Sequence, residues 1–507
     1  MKSLTEEDSE QLKKSSRSIE LIQCQYKFLV HGAKIQKEIR VATLGNGIQK
    51  LSSEQVIASL KCFSKEKENH TWMKFVPASG AASRMFAPFY TFYEASLAPD
   101  FNFKVYCNSE EGCVVKKLFK ELKKLPFYAP AYAKIIQDYS IPLNNDKEFF
   151  EAFVSVVLDE KGLDLPNMPK ALIPFFVDDQ GKQWTAFEAQ LLEVLKLGHQ
   201  HQSIPIHLTI DKENRAAFES IELEFREKLS EDQIKNLTVE YSYQNPLTDT
   251  PYLNHKNEWV RDKEGRIAFR KGGHGALLEN LNRLEADFIW IKNIDNILLN
   301  EHNIDGEKWM KILGGYLVSI QKQLFSHLRE LEVNNSEINY DDITSFIQTH
   351  FDPDFKLSSH GKLTNEVLYD YLYRPFRICG MIPNEGAKGG GPFWRVDERG
   401  KSLQIIEDIE LNFNNERHKK SIDLSTHFNP VIMVCGITNH RGEKFTLYDF
   451  RDNKRFMVSE KTFGPSKIKI LEWPGLWNGG MDYWNTLFVE IPSQTFHPVK
   501  TIADLIR

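Results

Sequence analysis

The sequence predicts an α/β fold built on a mixed, mostly parallel sheet, with an N-terminal helical extension and a helical insertion. From Trp72 onward, β-type segments alternate with helical segments. A helical stretch rich in lysine and aromatic residues interrupts this alternation at 87–165. Residues 1–70 have the pattern of polar, amphipathic helices with a turn at 44–48. Strands separated by helices imply βαβ units, in which consecutive strands run parallel.

Apolar, β-branched and aromatic runs predict the strands in chain order. Before residue 300 these runs are WMKFVPA (72–78), IPIHLTI (204–210), LTVEYSY (237–243) and ADFIWIKNI (286–294). Residues 185–198 predict a helix, because Thr185 and Glu188 have capping-box spacing and Gly198 can end it. Four further strands are predicted at 402–411, 430–437, 444–450 and 485–492. We therefore predict an α/β core over 71–375 and a β-rich part over 376–507 that completes it.

The composition excludes several classes of function. The formal net charge is −6, so the sequence has no excess of positive charge to drive nucleic-acid binding. No apolar stretch approaches the ~20 residues that a membrane-spanning helix needs, and the first sixteen residues lack an apolar signal core. The six cysteines include no CxxC pair, which is typical of reduced thiols. We expect a cytoplasmic protein that binds neither nucleic acid nor membrane.

The segment VPASGAASRMF (76–86) places a small-residue loop between a predicted strand and a predicted helix. It is neither a Walker A loop nor a GxGxxG motif. In one interpretation its backbone N–H groups bind phosphates, with help from the helix N-terminus and Arg84. In the other, Gly80 relieves a tight turn and Arg84 is solvated. The segment alone leaves both interpretations open.

Three further segments have residue types suited to a nucleotide, and each has a structural alternative. Lys170 in MPKALIPFF (168–176) could reach a triphosphate, or could be a surface lysine. His274 between glycines in RKGGHGALLENL (270–281) could approach a planar ligand, or could lie in a glycine turn. Asp295 follows a predicted strand in IKNIDNI (291–297), where open α/β sheets place ligand and metal groups, or it could be a turn residue.

Together these segments resemble sugar-phosphate nucleotidyltransferases. SGAASRM (79–85) is similar to their GxG(S/T)RM signature, and PKALIPF (169–175) to their PKxLxPV element. GGHGALLENL, IKNIDNI and the C-terminal FHPVKTIADLI (496–506) resemble elements of the UDP-glucose and UDP-N-acetylglucosamine pyrophosphorylases, in the same order. With NEGAKGGGPFW, STHFNPV and PGLWNGGMDYWNT, nearly the whole chain is similar to the DUF4301 family.

The resemblance implies a three-layer, GT-A-like and Rossmann-like nucleotidyltransferase fold. It also implies transfer of UMP from UTP to a sugar 1-phosphate or a similar small phosphate, with release of pyrophosphate. Arg84, Lys170 and Lys500 would be catalytic, and Asp295 would bind Mg²⁺. The implied nucleotide-binding residues are Ala78, Ser79, Gly80, Ala81, Ala82, Ser83, Gln244, Gly273, His274 and Gly275. The implied acceptor-binding residues are Lys388, Glu407, His427 and Asn429.

The sequence departs from the family pattern at two places. Ala82 stands where these enzymes usually have a second glycine, and the insertion at 87–165 separates the loop from Lys170. Two other functions are weighed against transfer, namely a non-catalytic nucleotide-sugar-binding protein and a GT-A-like glycosyltransferase. The first predicts loss of the charged groups, which are present, and the second predicts a DxD motif, which NIDN is not.

Overall fold

The computed structural model describes residues 4–32, 39–138, 146–198, 203–299, 304–333, 338–356, 365–386, 390–397, 400–411, 416–463 and 466–506. In these ranges the α-helices are α1 Glu6–Lys14, α2 Ile19–His31, α3 Ser53–Glu66, α4 Ala87–Ser96, α5 Phe103–Cys107, α6 Cys113–Lys120, α7 Tyr128–Asp138, α8 Asp146–Leu158, α9 Ala186–Gly198, α10 Arg215–Arg226, α11 Glu231–Asn236, α12 Leu278–Asn282, α13 Ile304–Glu332, α14 Tyr340–His350, α15 Asn365–Leu372 and α16 Glu416–Asp423.

The β-strands occur singly or in groups between these helices. They are β1 Ile39–Val41, β2 Thr43–Leu44, β3 Gly47–Gln49, β4 Trp72–Pro77, β5 Pro174–Val177, β6 Gln183–Thr185, β7 Ile206–Ile210, β8 Val239–Tyr243, β9 Thr250–Asn254, β10 Phe269–Arg270, β11 Phe288–Lys292, β12 Phe376–Pro383, β13 Gly391–Asp397, β14 Gly400–Ile406, β15 His427–Phe428, β16 Ile432–Gly436, β17 Met457–Phe463, β18 Ser466–Glu472 and β19 Asn485–Glu490. The α/β class predicted from the sequence is confirmed.

The chain divides into two compact units. The first comprises Met1–Phe75, Tyr241–Lys292 and Lys308–Ser493, and the second comprises Val76–Glu240, Asn293–Glu307 and Gln494–Arg507. The division into domains predicted from the sequence (1–70, 71–375 and 376–507) remains a prediction.

The first unit contains a mixed sheet with the strand order β3-β19-β12-β16-β11-β4. Strand β11 runs parallel to β4, and β19 runs parallel to both β12 and β3. Strand β16 is antiparallel to both of its neighbours, β11 and β12. The predicted mixed, mostly parallel arrangement is therefore confirmed for these strands.

Helices cover one face of this sheet. Trp72 of β4 and Trp290 of β11 stack at 4.6 Å and contact Phe63 of α3. Helix α13 approaches closely because Gly314 has no side chain, since a Cβ there would lie 3.1 Å from Trp72. The Nε1–H of Trp290 donates to the carbonyl of Met310 at 2.9 Å. Large aromatic rings thus fix the distance between the sheet and α13.

The opposite face of the sheet packs against a second layer. Met73 and Phe75, which alternate with Trp72 along β4, belong to a buried cluster with Leu278 and Leu281 of α12. The same cluster contains Leu403 and other residues of β13 and β14. Layers on both faces agree with the three-layer architecture that the resemblance implies.

Two local predictions differ from the structure. Residues 444–450 were predicted as a strand, but Leu447–Phe450 form a 3₁₀-helix. The N-terminal extension, predicted as helical with a turn, also contains β1, β2 and β3, where Gly45 and Gly47 adopt positive φ. Its helices contribute Leu12, among others, to a hydrophobic cluster with Trp259 and Phe456. Residues of both segments are buried against side chains that are distant in sequence, which local patterns do not reveal.

The second unit is mainly helical around short strands. Residues 87–165 contain α4 to α8, and Phe89 of α4 packs edge-on against Phe150 and Phe153 of α8. Helix α9 begins at the predicted capping box, where Glu188 N–H donates to Thr185 Oγ1 at 3.1 Å and Thr185 N–H donates to the Glu188 carboxylate at 2.9 Å. None of the helices in the described ranges is long and apolar enough to span a membrane.

Candidate functional site

The small-residue loop after β4 lies beside the lysine loop in the second unit. Ala82 N–H donates to the carbonyl of Met168 at 3.2 Å, and Lys170 N–H donates to the carbonyl of Gly80 at 3.0 Å. Ala78 N–H donates to the carbonyl of Thr209 at 2.9 Å, which ties the start of the loop to β7. Two segments that the insertion separates in sequence are therefore adjacent in the structure.

The middle of this loop presents backbone donors. In the described part of the chain, no acceptor contacts the N–H groups of Ser79, Gly80 and Ala81. Gly80 and Ala81 are exposed, and a Cβ on Gly80 would meet no atom within 4 Å. The φ of Gly80 is not in the left-handed region. The turn itself does not require glycine here, which removes the structural reason for Gly80 that the sequence left open.

Lys170, Asp295 and Lys500 meet in the second unit. Lys170 Nζ lies 2.6 Å and Lys500 Nζ 3.0 Å from the same oxygen, Asp295 Oδ2. The side chains of Lys170 and Asp295 are 16% and 9% exposed, whereas that of Lys500 is 56% exposed. Two ammonium groups therefore share one carboxylate oxygen, and Lys500 is the more exposed of the two lysines.

The ionisation of this cluster follows from burial and charge. Burial lowers the pKa of the Lys170 ammonium, although the Asp295 carboxylate opposes this effect. Burial alone would raise the pKa of Asp295, but the charges of Lys170 and Lys500 outweigh it and hold that pKa below its usual value. Asp295 is therefore ionised at neutral pH.

The donor set is compatible with a nucleotide-bound Mg²⁺. Asp295 Oδ1 is buried and has no hydrogen-bond partner among the described residues, so the protein leaves one carboxylate oxygen unpaired. No group of three or more His, Cys, Asp or Glu side chains suited to a metal occurs in the described ranges. Mg²⁺ commonly uses one or two carboxylates, with phosphate oxygens and waters as its other ligands. Asp295 fits that mode of binding.

Arg84 follows the loop in the 3₁₀-helix Ser83–Phe86. Both Ser83 and Arg84 are exposed, and Arg84 has no ion-pair partner in the ranges that the structure describes. The guanidinium is therefore free to pair with an anion.

The predicted nucleotide residue His274 lies in the first unit and faces a tryptophan. Its ring stacks on Trp477 at 4.1 Å between centroids with an interplanar angle of 19°. Leu476 N–H donates to His274 Nδ1 at 3.1 Å, which leaves the proton of the neutral ring on Nε2. Trp477 covers one face of this ring, and contact with a planar ligand stays a prediction.

The glycines beside His274 serve protein packing. A Cβ on Gly273, whose φ is +77°, would lie 2.4 Å from the Glu472 carboxylate. A Cβ on Gly275 would lie 2.2 Å from the carbonyl of Pro474. The ligand approach suggested by the sequence is not needed to explain them. Gln244 likewise uses its amide within its own turn, where Nε2 donates to Thr248 and Asp249.

The structure brings one predicted acceptor residue, Glu407, close to His274. Glu407 Oε1 lies 3.8 Å from His274 Nε2. Glu407 also borders the glycine segment, since its Cγ would lie 3.6 Å from a Cβ on Gly390. The carbonyl of Gly390 accepts the Asn429 N–H at 2.9 Å. Glu407, Gly390 and Asn429 therefore form a connected group in the first unit.

The remaining acceptor residues have partners within the chain or lie outside the described ranges. Asn429 donates to the carbonyl of Gly380 and accepts from Val431 N–H, which holds Val431 at a φ of +58°. His427 Nε2 lies 3.3 Å from Glu490, and its Nδ1 contacts Thr426. These contacts fix the side chains of Asn429 and His427. Lys388 lies outside the described residues.

Sequence reasoning missed the segment that covers His274. The Arg377 guanidinium donates a hydrogen bond to the carbonyl of Trp477, and the Asn478 side chain donates to the Glu410 carboxylate at 3.2 Å. The glycines of PGLWNGGMDYW (474–484) were a visible signal, because Gly475 and Gly480 occur where the chain folds back on itself.

We predict that His274 makes stability fall at acidic pH. Burial lowers the pKa of His274 to about 4, and Glu472 and Glu410 offset only part of this effect. Between pH 6.5 and 4 the unfolded chain binds a proton that the native ring does not, so stability decreases as the pH falls. The limit is about 3 kcal/mol.

The measurement is urea unfolding of wild type and His274→Asn at pH 7.5, 6 and 5. Asparagine keeps an acceptor near the Nδ1 position but does not titrate, so the variant should lose less stability on acidification. His350, whose pKa burial also lowers to about 4, is common to both proteins and cancels in the difference. Equal losses in the two proteins would reject the role of His274.

Three solved structures are similar to this chain at low sequence identity. The UDP-glucose pyrophosphorylase of Leishmania major (a G45Y mutant in complex with UDP-glucose) is 12% identical, with 99% of this chain and 79% of that chain covered and a TM-score of 0.46. A putative UDP-N-acetylglucosamine pyrophosphorylase from Entamoeba histolytica is 11% identical over 92% and 83% of the two chains, with a TM-score of 0.44. A UDP-glucose phosphorylase from Trypanosoma brucei is 12% identical over 98% and 76%, with a TM-score of 0.45.

Sequence comparison gives a more direct assignment. No curated protein sequence matches this chain significantly. One family model, described as "Domain of unknown function (DUF4301)", matches residues 5–507. That match covers almost the entire chain, so the protein belongs to the DUF4301 family.

Proposed function

We propose that this protein is a nucleotidyltransferase that transfers UMP from UTP to a sugar 1-phosphate or a similar small phosphate and releases pyrophosphate. The observation that carries the proposal is the cluster in which Lys170 and Lys500 share the buried carboxylate of Asp295. The loop with three free backbone N–H groups lies in the same unit and is hydrogen-bonded to the segment of Lys170. Backbone donors and ammonium groups together are suited to a triphosphate.

In the proposed reaction an oxygen of the acceptor phosphate attacks the α-phosphorus of UTP. A new phosphorus–oxygen bond forms while the bond from the α-phosphorus to the bridging oxygen breaks, and pyrophosphate leaves with that electron pair. The protein contributes no covalent nucleophile, so catalysis rests on positioning and charge stabilisation.

The residues of the second unit divide this work. Ala78 to Ser83 bind the triphosphate, and the exposed Arg84 neutralises its β- and γ-phosphates. Lys170 and Lys500 stabilise the charge that develops at the transferring phosphate. Mg²⁺ brought with the nucleotide would be held by Asp295 Oδ1, phosphate oxygens and water, and would supply further charge neutralisation.

Residues of the first unit provide specificity in this proposal. Gln244 and the turn Gly273–Gly275 contact the base, with Trp477 holding the His274 ring in place. Glu407 accepts hydrogen bonds from acceptor hydroxyls, with His427, Asn429 and Lys388 assigned to the same substrate. The contacts of Asn429 with the backbone make it the residue that shapes this part of the site.

The test is a pyrophosphate-release screen of four nucleoside triphosphates against a panel of sugar and alcohol phosphates. We expect release with UTP and at least one sugar 1-phosphate, in a Mg²⁺-dependent manner. Tight binding of a UDP-sugar without release from any pair would indicate a non-catalytic binding protein. Transfer of the sugar from a UDP-sugar to a hydroxyl acceptor would indicate a glycosyltransferase.

Substitutions of Gly80 test the loop directly. Because a Cβ at this position meets open space, Gly80→Ala and Gly80→Val should fold with stabilities close to that of wild type. The valine side chain would stand over the free N–H groups and hinder phosphate approach. We expect the KM for the nucleotide to rise at least tenfold in Gly80→Val and less in Gly80→Ala, measured by steady-state pyrophosphate release.

Gly198→Ala is the matched control, because a Cβ at Gly198 makes only ordinary contacts at the end of α9. Its KM should equal that of wild type. A wild-type KM in Gly80→Val would show that the loop does not bind the phosphates.

A further inference from the structure

We infer that Asn296 is a positioning residue, whose side-chain amide fixes the C-terminal segment Gln494–Ile506 so that Lys500 reaches Asp295. The kinetic consequences of this inference rest on the proposed function. Its geometric content does not, because it concerns only how the chain holds Lys500.

The C-terminal segment is attached to residues 295 and 296 just before Lys500. Val499 N–H donates to the carbonyl of Asp295 at 3.0 Å, and Pro498 forms an antiparallel bridge with Asn296. Proline has no N–H, so Pro498 itself donates no hydrogen bond in this bridge. The bond from Val499 holds the segment on the side of Pro498 that leads to Lys500.

Asn296 provides the second attachment. His497 N–H donates to Asn296 Oδ1 at 2.9 Å, on the other side of Pro498 from Val499. Two hydrogen bonds that flank a proline of restricted φ fix both the position and the register of this segment. A shift of one residue would place Val499 or Thr501 beside Asp295 in place of Lys500.

The environment of Asn296 favours a positioning role over a purely stabilising one. The residue is 1% exposed, and Nδ2 has no hydrogen-bond partner among the described residues. A buried, unsatisfied donor costs stability. Stability alone would favour an apolar side chain of similar size, whereas only the amide oxygen can accept the N–H of His497.

The far side of Lys500 is also held, mainly by residues of its own segment. Asp504 Oδ2 accepts from Lys500 N–H at 2.8 Å and from Thr501 N–H at 2.7 Å. Lys117 of α6 contributes a weaker bond to the carbonyl of Ala503 at 3.5 Å. These bonds shape the segment, whereas Asn296 attaches it directly beside Asp295. Lys500 has a long, flexible side chain, so a defined backbone position reduces the freedom of its ammonium group.

The experiment compares wild type with Asn296→Leu, Lys500→Ala and the double variant. Asn485→Leu is the matched control, since Asn485 is also buried and donates to a backbone carbonyl, that of Leu372, at 3.0 Å. Two readouts are taken. One is the rate at which acetic anhydride acetylates Lys500, measured by mass spectrometry relative to the exposed Lys161. The other is kcat for pyrophosphate release, with melting temperature recorded for each protein.

We expect Asn296→Leu to raise the relative acetylation rate of Lys500 at least threefold and to lower kcat roughly 10- to 100-fold. The double variant should be no slower than Lys500→Ala, because both changes remove the same group from Asp295. Asn485→Leu should change the melting temperature but not the acetylation of Lys500. His497→Pro, which removes the N–H donor and leaves the buried amide intact, should reproduce the raised acetylation if Asn296→Leu folds poorly.

Unchanged acetylation of Lys500 in both Asn296→Leu and His497→Pro would overturn the inference. Effects of Asn296→Leu and Lys500→Ala that multiply in the double variant would also overturn it, because independent sites behave in that way. If wild type releases no pyrophosphate with any substrate pair, the proposed function fails, and the acetylation rates still decide the role of Asn296.

Discussion

Lys500→Ala is expected to lower kcat for nucleotidyl transfer about 10²- to 10³-fold, the loss typical of removing one group that stabilises transition-state charge. The side chain of Lys500 is 56% exposed, and its ammonium contacts Asp295 Oδ2 at 3.0 Å. The variant should fold normally, because Lys170 remains on Asp295 and keeps the buried carboxylate paired. The measurement is steady-state pyrophosphate release together with a melting curve.

Lys161→Ala is the control for this prediction, since Lys161 is an exposed lysine of the same unit. A kcat within about threefold of wild type in Lys500→Ala would remove Lys500 from the mechanism. Lys170→Ala should also have a low kcat, and in addition a lower melting temperature. Lys170 is mostly buried, and its loss leaves the buried Asp295 carboxylate with Lys500 as its ion-pair partner.

Asp482→Ala is expected to destabilise the first unit by about 3 kcal/mol, at the lower end of what breaking a buried ion pair costs. Asp482 is 1% exposed and bonds to the guanidinium groups of both Arg395 and Arg455. Glu410 and Asp482 hold the pKa of Arg455 above its usual value against the effect of burial. Removing Asp482 leaves both arginines charged and buried with fewer partners. Arg395 retains its ion pair with Asp452, and Arg455 retains its ion pair with Glu410.

Urea unfolding followed by tryptophan fluorescence measures this effect. Asp482→Asn should lose less stability, because it keeps hydrogen bonding without the charge. Glu10→Ala breaks the exposed pair with Lys14 and should cost less than about 1 kcal/mol. A loss of similar size in Asp482→Ala and Glu10→Ala would show that the buried network contributes little to stability.

The candidate site was predictable where one short segment carried the signal. The loop at 78–83, the lysine loop and Asp295 were each identified by residue type, although every one of them had a structural alternative. For Gly80 the structure removes that alternative, because a side chain there would meet open space. For Gly273 and Gly275 it supports that alternative, because Glu472 and Pro474 fill the space that a side chain would need.

Long-range packing accounts for what could not be predicted. The stacking of Trp477 on one face of the His274 ring, from about two hundred positions along the chain, could not be predicted from the sequence around His274. The strand predicted at 444–450 is a 3₁₀-helix at Leu447–Phe450, since Leu447 is drawn into the buried cluster below the sheet. These distant contacts cannot be predicted from the composition of a short segment.

Local structure could be predicted where the signal lay within one short segment. The capping box of Thr185 and Glu188 starts α9, and the apolar run at Trp72 forms β4, because such signals depend on neighbouring residues only. The tertiary structure decided that Lys170 and Lys500 meet on Asp295. These residues are separated from Asp295 by 125 and 205 positions. Their contact depends on backbone hydrogen bonds between segments that are distant in sequence, such as Lys170 N–H to the Gly80 carbonyl and Val499 N–H to the Asp295 carbonyl. Such hydrogen bonds form only in the folded protein.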